Sequence, residues 1–594
     1  MSAPQLADLL RPTSPWRDLP LSALDMALAH GLNTLQASHD ERHLWLAALT
    51  HHQWSRGHAC LELKALPQQA AALLGWQEDE VRQLPADLAL AVTTLPWTQD
   101  AGSPLVHQGD RLYLRRAFEA EQRIRTALVA RTQPQVLPEA PWDIWLDELF
   151  AGLGSDATAV AQQRDQRLAC LAGLRHGLTL VCGGPGTGKT TTVARMLALM
   201  QRAHSAVLGH DAPLRVLLAA PTGKASARLA ESMRQAVAKL PEVWRTGLPE
   251  QAATLHRLLV DQPDTWSVDV LVVDEVSMVD LELMARVLSA LPPQARLILL
   301  GDPDQLASVQ AGAVLSQLCE APWLQAQRVQ LRHSHRFQAD RGIGQWARLV
   351  QHGSSAERIQ AWTALPSGWA SGDTQVTHLP DITPYSVAGR AMLKHAFTPW
   401  WSQVTQAIGD HQTAVPDPLA RQLLDGHTRV GVLCALREGP WGVEALNQQI
   451  ALALGLGTSL WCAGRPVMVT RNHASLGLNN GDIGLCLPHA LSNGQVALRV
   501  AFAHEQGVRW ISPTRLDDVE PVFAMTVHKS QGSEFDHVLL VLPPHQSPVL
   551  TRELIYTGLT RAKERLTWWA AKPHEWLSAC DVRVARSGGL TNTP

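Results

Sequence analysis

Gly183-Gly184-Pro185-Gly186-Thr187-Gly188-Lys189-Thr190 spells G-x-x-x-x-G-K-T directly after the apolar run Leu178 to Cys182. Glycines at these positions let the backbone curl, so that successive N–H groups and the start of the next helix face a chain of phosphates. Lys189 then reaches the β- and γ-phosphates, Thr190 holds magnesium, and Thr191 completes the set at the helix start. A Gly-rich surface loop is the bland alternative, and the strand before and helix-forming Val193 to Met200 after count against it. Downstream, Val270-Leu271-Val272-Val273 ends in Asp274-Glu275. That order suits a magnesium-binding carboxylate followed by a base for the attacking water, hence hydrolysis rather than transfer. Asp274 as a mere helix cap is the alternative. Arg296 to Leu300 leads into Gly301-Asp302-Pro303-Asp304-Gln305, which places the Gln305 amide near the γ-phosphate or its water.

Together, and in this order along the chain, these residues resemble the superfamily 1 helicases. The resemblance implies further roles. Gln166, one helix upstream of the loop, corresponds to a glutamine that reads adenine. Ala220-Pro221-Thr222-Gly223-Lys224-Ala225 and Thr254-Leu255-His256 look like the first two DNA-contacting motifs. Arg336, in Ser334-His335-Arg336-Phe337, resembles an arginine entering the nucleotide site from the second motor domain. Thr526-Val527-His528-Lys529-Ser530-Gln531-Gly532 looks like the motif joining DNA to nucleotide. Tyr556-Thr557-Gly558-Leu559-Thr560-Arg561-Ala562-Lys563 looks like the last motif, whose arginine acts as a finger on the γ-phosphate. Longer stretches, Val432 to Gly442, Gly464 to Val469, Leu478 to Gly484 and Ser334 to Gly344, are similar to the RecD family. Its members are alpha subunits of exodeoxyribonuclease V, the bacterial RecBCD recombination machine. The resemblance covers roughly residues 105 to 575, with weaker echoes such as Gly57 to Leu61 before that.

The resemblance implies ATP and Mg2+ as cofactors and single-stranded DNA and duplex DNA ends as substrates. It also implies RecB-like and RecC-like partners in a heterotrimer, 5′ to 3′ travel, and a bacterial cytoplasmic location. Nuclease chemistry belongs to a partner on this reading, since no Asp/Glu/Lys cluster outside the motor motifs has nuclease spacing. The chain alone should not cut DNA.

Positioning these residues takes more than one core, because 594 residues suggest three or four domains. The α/β pattern predicts two RecA-like P-loop motor domains with parallel sheets, a small β-barrel insertion in the second, and a mainly helical N-terminal domain. The expected boundaries are an N-terminal docking domain at 1–105, a linking helix within 106–144 read from Arg111 to Leu128, a first motor domain at 145–350, and a second at 351–594. The barrel is expected at about 455–514.

Composition fits a multidomain soluble ATPase, with 46% hydrophobic and 18% charged residues. Met1 to Pro15 has no apolar segment of a secretion signal, and no run approaches the ~18 apolar residues of a membrane span. The eight cysteines form no C-x-x-C pair, which argues against zinc, iron–sulfur and disulfide frameworks. His51-His52 and His333/His335 lack metal-ligand partners at helical spacing. A net charge of −3 is low for a protein gripping duplex DNA over its whole surface, but a motor needs only a local track. Lys224, Arg228, Arg336, Lys529, Arg561 and Lys563 supply one. Of 21 tryptophans most are expected in cores, with Trp362, Trp369, Trp400, Trp401, Trp441 and Trp461 weighed as base-stacking platforms.

One departure bears on mechanism. RecD-like helicases carry a β-hairpin pin between the second DNA motif and the magnesium carboxylate, but Val260 reaches Val270 through only Asp261 to Asp269. That segment is too short for the usual hairpin, which predicts a translocase whose wedge comes from a partner. An autonomous 5′ to 3′ helicase and a non-motor ATP-switch scaffold are the rivals. The first would carry a full pin and a longer N-terminal extension; the second would tolerate broken motifs, whereas Glu275, Gln305, Arg336 and Arg561 are all present.

Overall fold

The computed structural model describes residues 16, 18–134, 140–152, 154, 157–208, 213–262, 264–334, 336–337, 341–379, 382–409, 414–504, 507–584 and 586–593. The opening Met1 to Pro15 and His335 lie outside them. Among the described residues no helix is long and apolar enough to cross a membrane.

The N-terminal unit is mainly helical, with helices Ala23–Leu35, Glu41–Ser55 and Leu66–Leu74 around a small antiparallel sheet in the order β1-β3-β2. Its strands are β1 (Cys60–Glu62), β2 (Leu105–Gln108) and β3 (Arg111–Leu114). In the segment expected as a linking helix, Arg111 to Leu114 is strand and the helix runs over Arg115–Thr132. Gly109 adopts φ +61° and turns the chain so that Gln108 pairs with Arg111, and the Arg/Glu-rich helix starts only after that hairpin. Arg131, near its end, donates to the carbonyls of Leu291, Pro292 and Ala295 and so closes the C-terminus of helix Leu281–Ala290.

The first motor sheet holds β4 (Leu178–Gly183), β5 (Val216–Ala220), β6 (Ala252–Thr254), β7 (Val270–Val273), β8 (Arg296–Gly301) and β9 (Arg328–Leu331). All pair in parallel in the order β6-β5-β7-β8-β4-β9. Both faces are covered, so β4 and β7 are buried throughout. Alternation sends Val181, Val272, Ile298 and Leu300 into one core with helix Lys189–Leu208, while Leu180, Leu271, Val273, Leu297 and Leu299 join the other, with helix Leu281–Ala290.

The second sheet holds β10 (Val376–His378), β11 (Val430–Cys434), β17 (Ala524–Thr526), β18 (Phe535–Leu542) and β19 (Ala562–Ala570), parallel in the order β10-β19-β18-β11-β17. Between β11 and β17 the chain makes a separate antiparallel sheet from β12 (Pro466–Val469), β13 (Ile483–Ala490), β14 (Val496–His504), β15 (Gly507–Ile511) and β16 (Val519–Pro521). It encloses its own small core of Val467, Val469, Cys486, Val500 and Phe502. The strands span 466–521 rather than 455–514, and no pairing joins β15 to β16 among the described residues, so the sheet is not closed by hydrogen bonds.

Packing draws two of the expected boundaries differently. Helix Gly342–His352 puts Ile343, Trp346 and Val350 into the core of the second sheet, so the crossing between sheets precedes residue 350. Residues 586–593 return to the N-terminal unit, where Leu590 is fully buried and the Gly589 N–H donates to Glu121 at 2.8 Å. Between helix Leu255–Asp261 and β7 no strand occurs among the described residues. Trp266 is buried there instead, its indole donating to the Gln262 carbonyl.

Candidate functional site

β4, β7 and β8 lie side by side near the centre of the first sheet, so their C-terminal ends deliver the phosphate loop, Asp274-Glu275 and Asp302 to one edge, where parallel sheets place ligands. Gly186 and Gly188 take φ of +76° and +83°, a left-handed backbone that favours glycine. A Cβ on Gly186 would also stand 2.6 Å from the Arg336 Cβ. The Lys189 ammonium curls over the loop and donates to the carbonyls of Gly183 at 2.6 Å and Gly184 at 3.2 Å.

Asp274 accepts the Glu275 N–H at 2.8 Å, and burial followed by the neighbouring Glu275 charge pushes its pKa up to about 6. Glu275 sits at φ +51°, one of two non-glycine residues with positive φ among those described, and such strain collects at working sites. Burial likewise raises Asp302 to about 6. Its Oδ2 accepts from the Tyr556 hydroxyl and the Gln305 amide, both at 3.1 Å. Gln305 in turn accepts from Arg561 at 2.5 Å. Arg561 is itself buried and spends its other donors on the carbonyls of Thr557 and Ser533.

A cavity of about 250 Å³ gathers these groups: it is lined by Gly186, Gly188, Lys189, Thr190 and Thr191 of the loop and helix start, by Asp274, Glu275 and Gln305, and by Arg336 and Arg561. Gly183 and Gly184 lie at the loop's start, where they receive Lys189; Pro185 and Thr187 also line the space. The residues present fit a nucleotide with its metal, because positive-φ glycines turn the loop and Thr190 and the Asp274 carboxylate face the same space. Gln166 adjoins this cavity without lining it. It is buried beneath the loop with its oxygen held by Arg195 at 2.8 Å, and its nitrogen faces Gly188.

The expected DNA contacts lie at the C-terminal ends of strands toward one side of each sheet: β6, at the edge of the first, its neighbour β5, and β17, at the edge of the second. Thr222 follows β5, Thr254 ends β6 and Thr526 ends β17, and each hydroxyl accepts a backbone N–H three residues on, from Ala225, Arg257 and Lys529, each at 3.2 Å. His256 is exposed. His528 is half-buried, and burial with the Arg586 charge lowers its pKa. Both lysines meet acids of the antiparallel insertion. Lys529 pairs with Glu520 at 2.6 Å. Burial lowers the Lys224 pKa to about 8, against the pull of Asp482.

Sequence reasoning overlooked Glu534. Its carboxylate takes Arg336 in a two-pronged pair, 2.6 and 2.9 Å, and also the Arg228 guanidinium. Burial alone would raise its pKa; Arg228 and Arg336 outweigh that and hold it at about 2. An acid two residues beyond Gly532, inside a motif run rich in cationic partners, was the available signal.

Two parallel sheets that share one phosphate-binding cleft, with Arg561 of the second sheet beside the loop of the first, define a nucleotide-driven two-domain motor. Residues 161–365 match the AAA domain family, 521–567 the UvrD-like helicase C-terminal domain, and 19–113 the N-terminal domain of RecBCD enzyme subunit RecD. The RecBCD enzyme subunit RecD of Mycobacterium tuberculosis is 37% identical over 92% of this chain and 90% of its own length. That of Haemophilus influenzae is 32% identical over 92% of each. The ATP-dependent RecD2 DNA helicase of Deinococcus radiodurans is 31% identical over 81% of this chain and 58% of its own length. The chain belongs to the RecD family of ATP-dependent DNA helicases.

Proposed function

We propose that this chain is the motor subunit of a RecBCD-type helicase–nuclease in double-strand break repair and recombination. It moves 5′ to 3′ along single-stranded DNA from duplex ends, beside RecB-like and RecC-like subunits, in the bacterial cytoplasm. The observation that carries this reading is the cleft itself, where Lys189, Thr190, Asp274 and Glu275 of the first sheet face Arg336 and Arg561.

Lys189 and the loop N–H groups bind the phosphates of ATP, and Glu275 takes the proton of the attacking water. Gln305, Arg336 and Arg561 meet the charge that develops on the terminal phosphate. Magnesium, held by Thr190 and Asp274, would neutralise phosphate oxygens. Because Arg561 belongs to the second sheet and the Arg336 side chain pairs with Glu534 of that sheet's segment, closing the cleft shifts Thr222, Lys224, Thr254 and His256 against Thr526, His528 and Lys529, and a strand held by both sets is stepped along. The fully buried Trp266, where the family carries a pin, supports a wedge supplied by a partner.

The test is ATP hydrolysis and strand separation by the purified chain, on duplexes bearing a 5′ or a 3′ single-stranded tail. DNA-stimulated hydrolysis abolished by Lys189→Ala, with no unwinding from either tail, is the expected result. Hydrolysis unchanged in Lys189→Ala refutes the site. Unwinding from the 5′ tail by the chain alone favours an autonomous helicase.

A further inference from the structure

Within the cleft, Glu534 is the carboxylate that the cations seek. Arg336 lies against the phosphate loop, its N–H donating to Ser334, whose hydroxyl donates to the Pro185 carbonyl at 3.0 Å. From there its guanidinium turns to Glu534, with Nη1 on one carboxylate oxygen and Nη2 on the other. Arg228, on helix Gly223–Ala238 of the first motor sheet, takes the oxygen that Nη1 takes. Arg561 is adjacent, since its Nη1 donates to the carbonyl of Ser533, one residue before Glu534, and its carbonyl receives the Phe535 N–H, one residue after. Two arginines from separate chain segments therefore converge on one acidic side chain, with Arg561 bonded to the backbone on either side of it, at the wall of the cavity that Lys189, Asp274 and Glu275 also line.

A guanidinium gripping two oxygens of a planar carboxylate uses the same fork with which it grips two oxygens of a phosphate. An arginine cannot hold both forks at once. We propose that Glu534 is a positioning residue that acts as an internal stand-in for the terminal phosphate, holding Arg336 and Arg228 until a nucleoside triphosphate competes them away. The exchange is selective by charge and reach. A diphosphate ends at the phosphate nearest the loop and leaves the Glu534 pairs intact, whereas a third phosphate extends toward the arginines. Binding of the triphosphate then carries the free energy of breaking two ion pairs, which lowers its affinity in the resting enzyme and ties the release of Arg228 to nucleotide arrival. Arg228 stands four residues beyond Lys224 on the same helix, so the exchange acts on the element that also presents a candidate DNA contact.

This rests on the nucleotide reading of the cleft, and one titration separates the two. The full-length chain, without DNA, is titrated with ADP and with a non-hydrolysable ATP analogue, both with magnesium, as wild type and as Glu534→Gln. Glu534→Gln keeps the size and hydrogen-bonding groups but removes the charge. The expected result is analogue binding about tenfold tighter in the variant, with ADP affinity changed less than twofold. Intact ADP binding also reports a folded site. Glu534→Asp, which keeps the charge on a shorter arm, is expected to tighten analogue binding by a smaller factor. An unchanged or weakened analogue affinity in variants that still bind ADP overturns the proposal. A wild-type chain that binds neither nucleotide overturns the nucleotide reading instead.

Discussion

Arg561 donates to the Gln305 side-chain oxygen at 2.5 Å, joining a residue just before β19 of the second sheet to one just after β8 of the first. Gln305 is committed on both ends, because its nitrogen donates to Asp302. The Thr557 hydroxyl accepts the Leu306 N–H and Gln531 donates to the Leu306 carbonyl, so the two sheets are stitched along one short line. Movement of either sheet is felt at the amide expected to hold the attacking water.

Arg561→Ala removes a buried donor set as well as a charge. DNA-stimulated turnover should fall by ~10³ or more, the range found for arginine fingers. Arg561→Lys should not rescue it, because one ammonium cannot reach Gln305, Thr557 and Ser533 together. Steady-state hydrolysis at saturating DNA measures both. A lysine variant near wild-type rate would contradict the geometry.

Magnesium dependence should carry the signature of Asp274. Its pKa is raised to about 6, so the carboxylate proposed to hold the metal is ionised above that pH and protonated below it. As pH falls below about 6 the half-saturating magnesium concentration should climb about tenfold per pH unit, and it should stay flat above 7. Hydrolysis measured against magnesium at pH 5, 6, 7 and 8 gives the slope. A concentration unchanged between pH 7 and 5 would show that another group binds the metal.

Trp362, weighed as a base-stacking platform, is buried with its ring 5.2 Å from that of Trp576 and 6.3 Å from that of Trp346. Trp362→Ala should lower stability by ~3–5 kcal/mol through the cavity it leaves. Single-strand affinity of the folded fraction should not change. Thermal melting and fluorescence-anisotropy titration separate the two effects, and weaker DNA binding at unchanged melting temperature would return this tryptophan to the DNA track.

Removing the chain end after residue 585 should free the N-terminal unit. The loss takes out Leu590, whose carbonyl accepts from the Trp323 indole, and removes the Gly589 N–H from the buried Glu121 carboxylate, whose pKa burial already raises. Leu590→Ala alone should cost ~2–4 kcal/mol. Melting curves that superimpose for the full and shortened chains would show that the contact is incidental.

The phosphate loop, the acidic pair after β7 and the two parallel sheets were legible because each is a local event, a strand running into a turn whose residue types are dictated by φ or by charge. The hairpin at Gly109 was missed because Arg111 to Leu114 joins smoothly to a strongly patterned helix, and only pairing with Cys60 to Glu62 makes it a strand. Glu534 was missed for the opposite reason. Nothing local marks it, since its meaning comes from an arginine 198 residues away in sequence. Helix Gly342–His352 shows the same limit, as its apolar face fits either core and only the crossing of the chain decides which.

The acids of the antiparallel insertion have a consequence for the thermodynamics of strand capture. Lys529 is paired with Glu520 and Lys224 is drawn toward Asp482, so neither brings a bare cation to a phosphate. If the strand is held there as proposed, binding exchanges one anion for another and releases fewer condensed counterions than the number of lysines touched. The logarithm of affinity should therefore fall less steeply with the logarithm of salt than a count of basic contacts implies, and Glu520→Gln should steepen it by about 0.7.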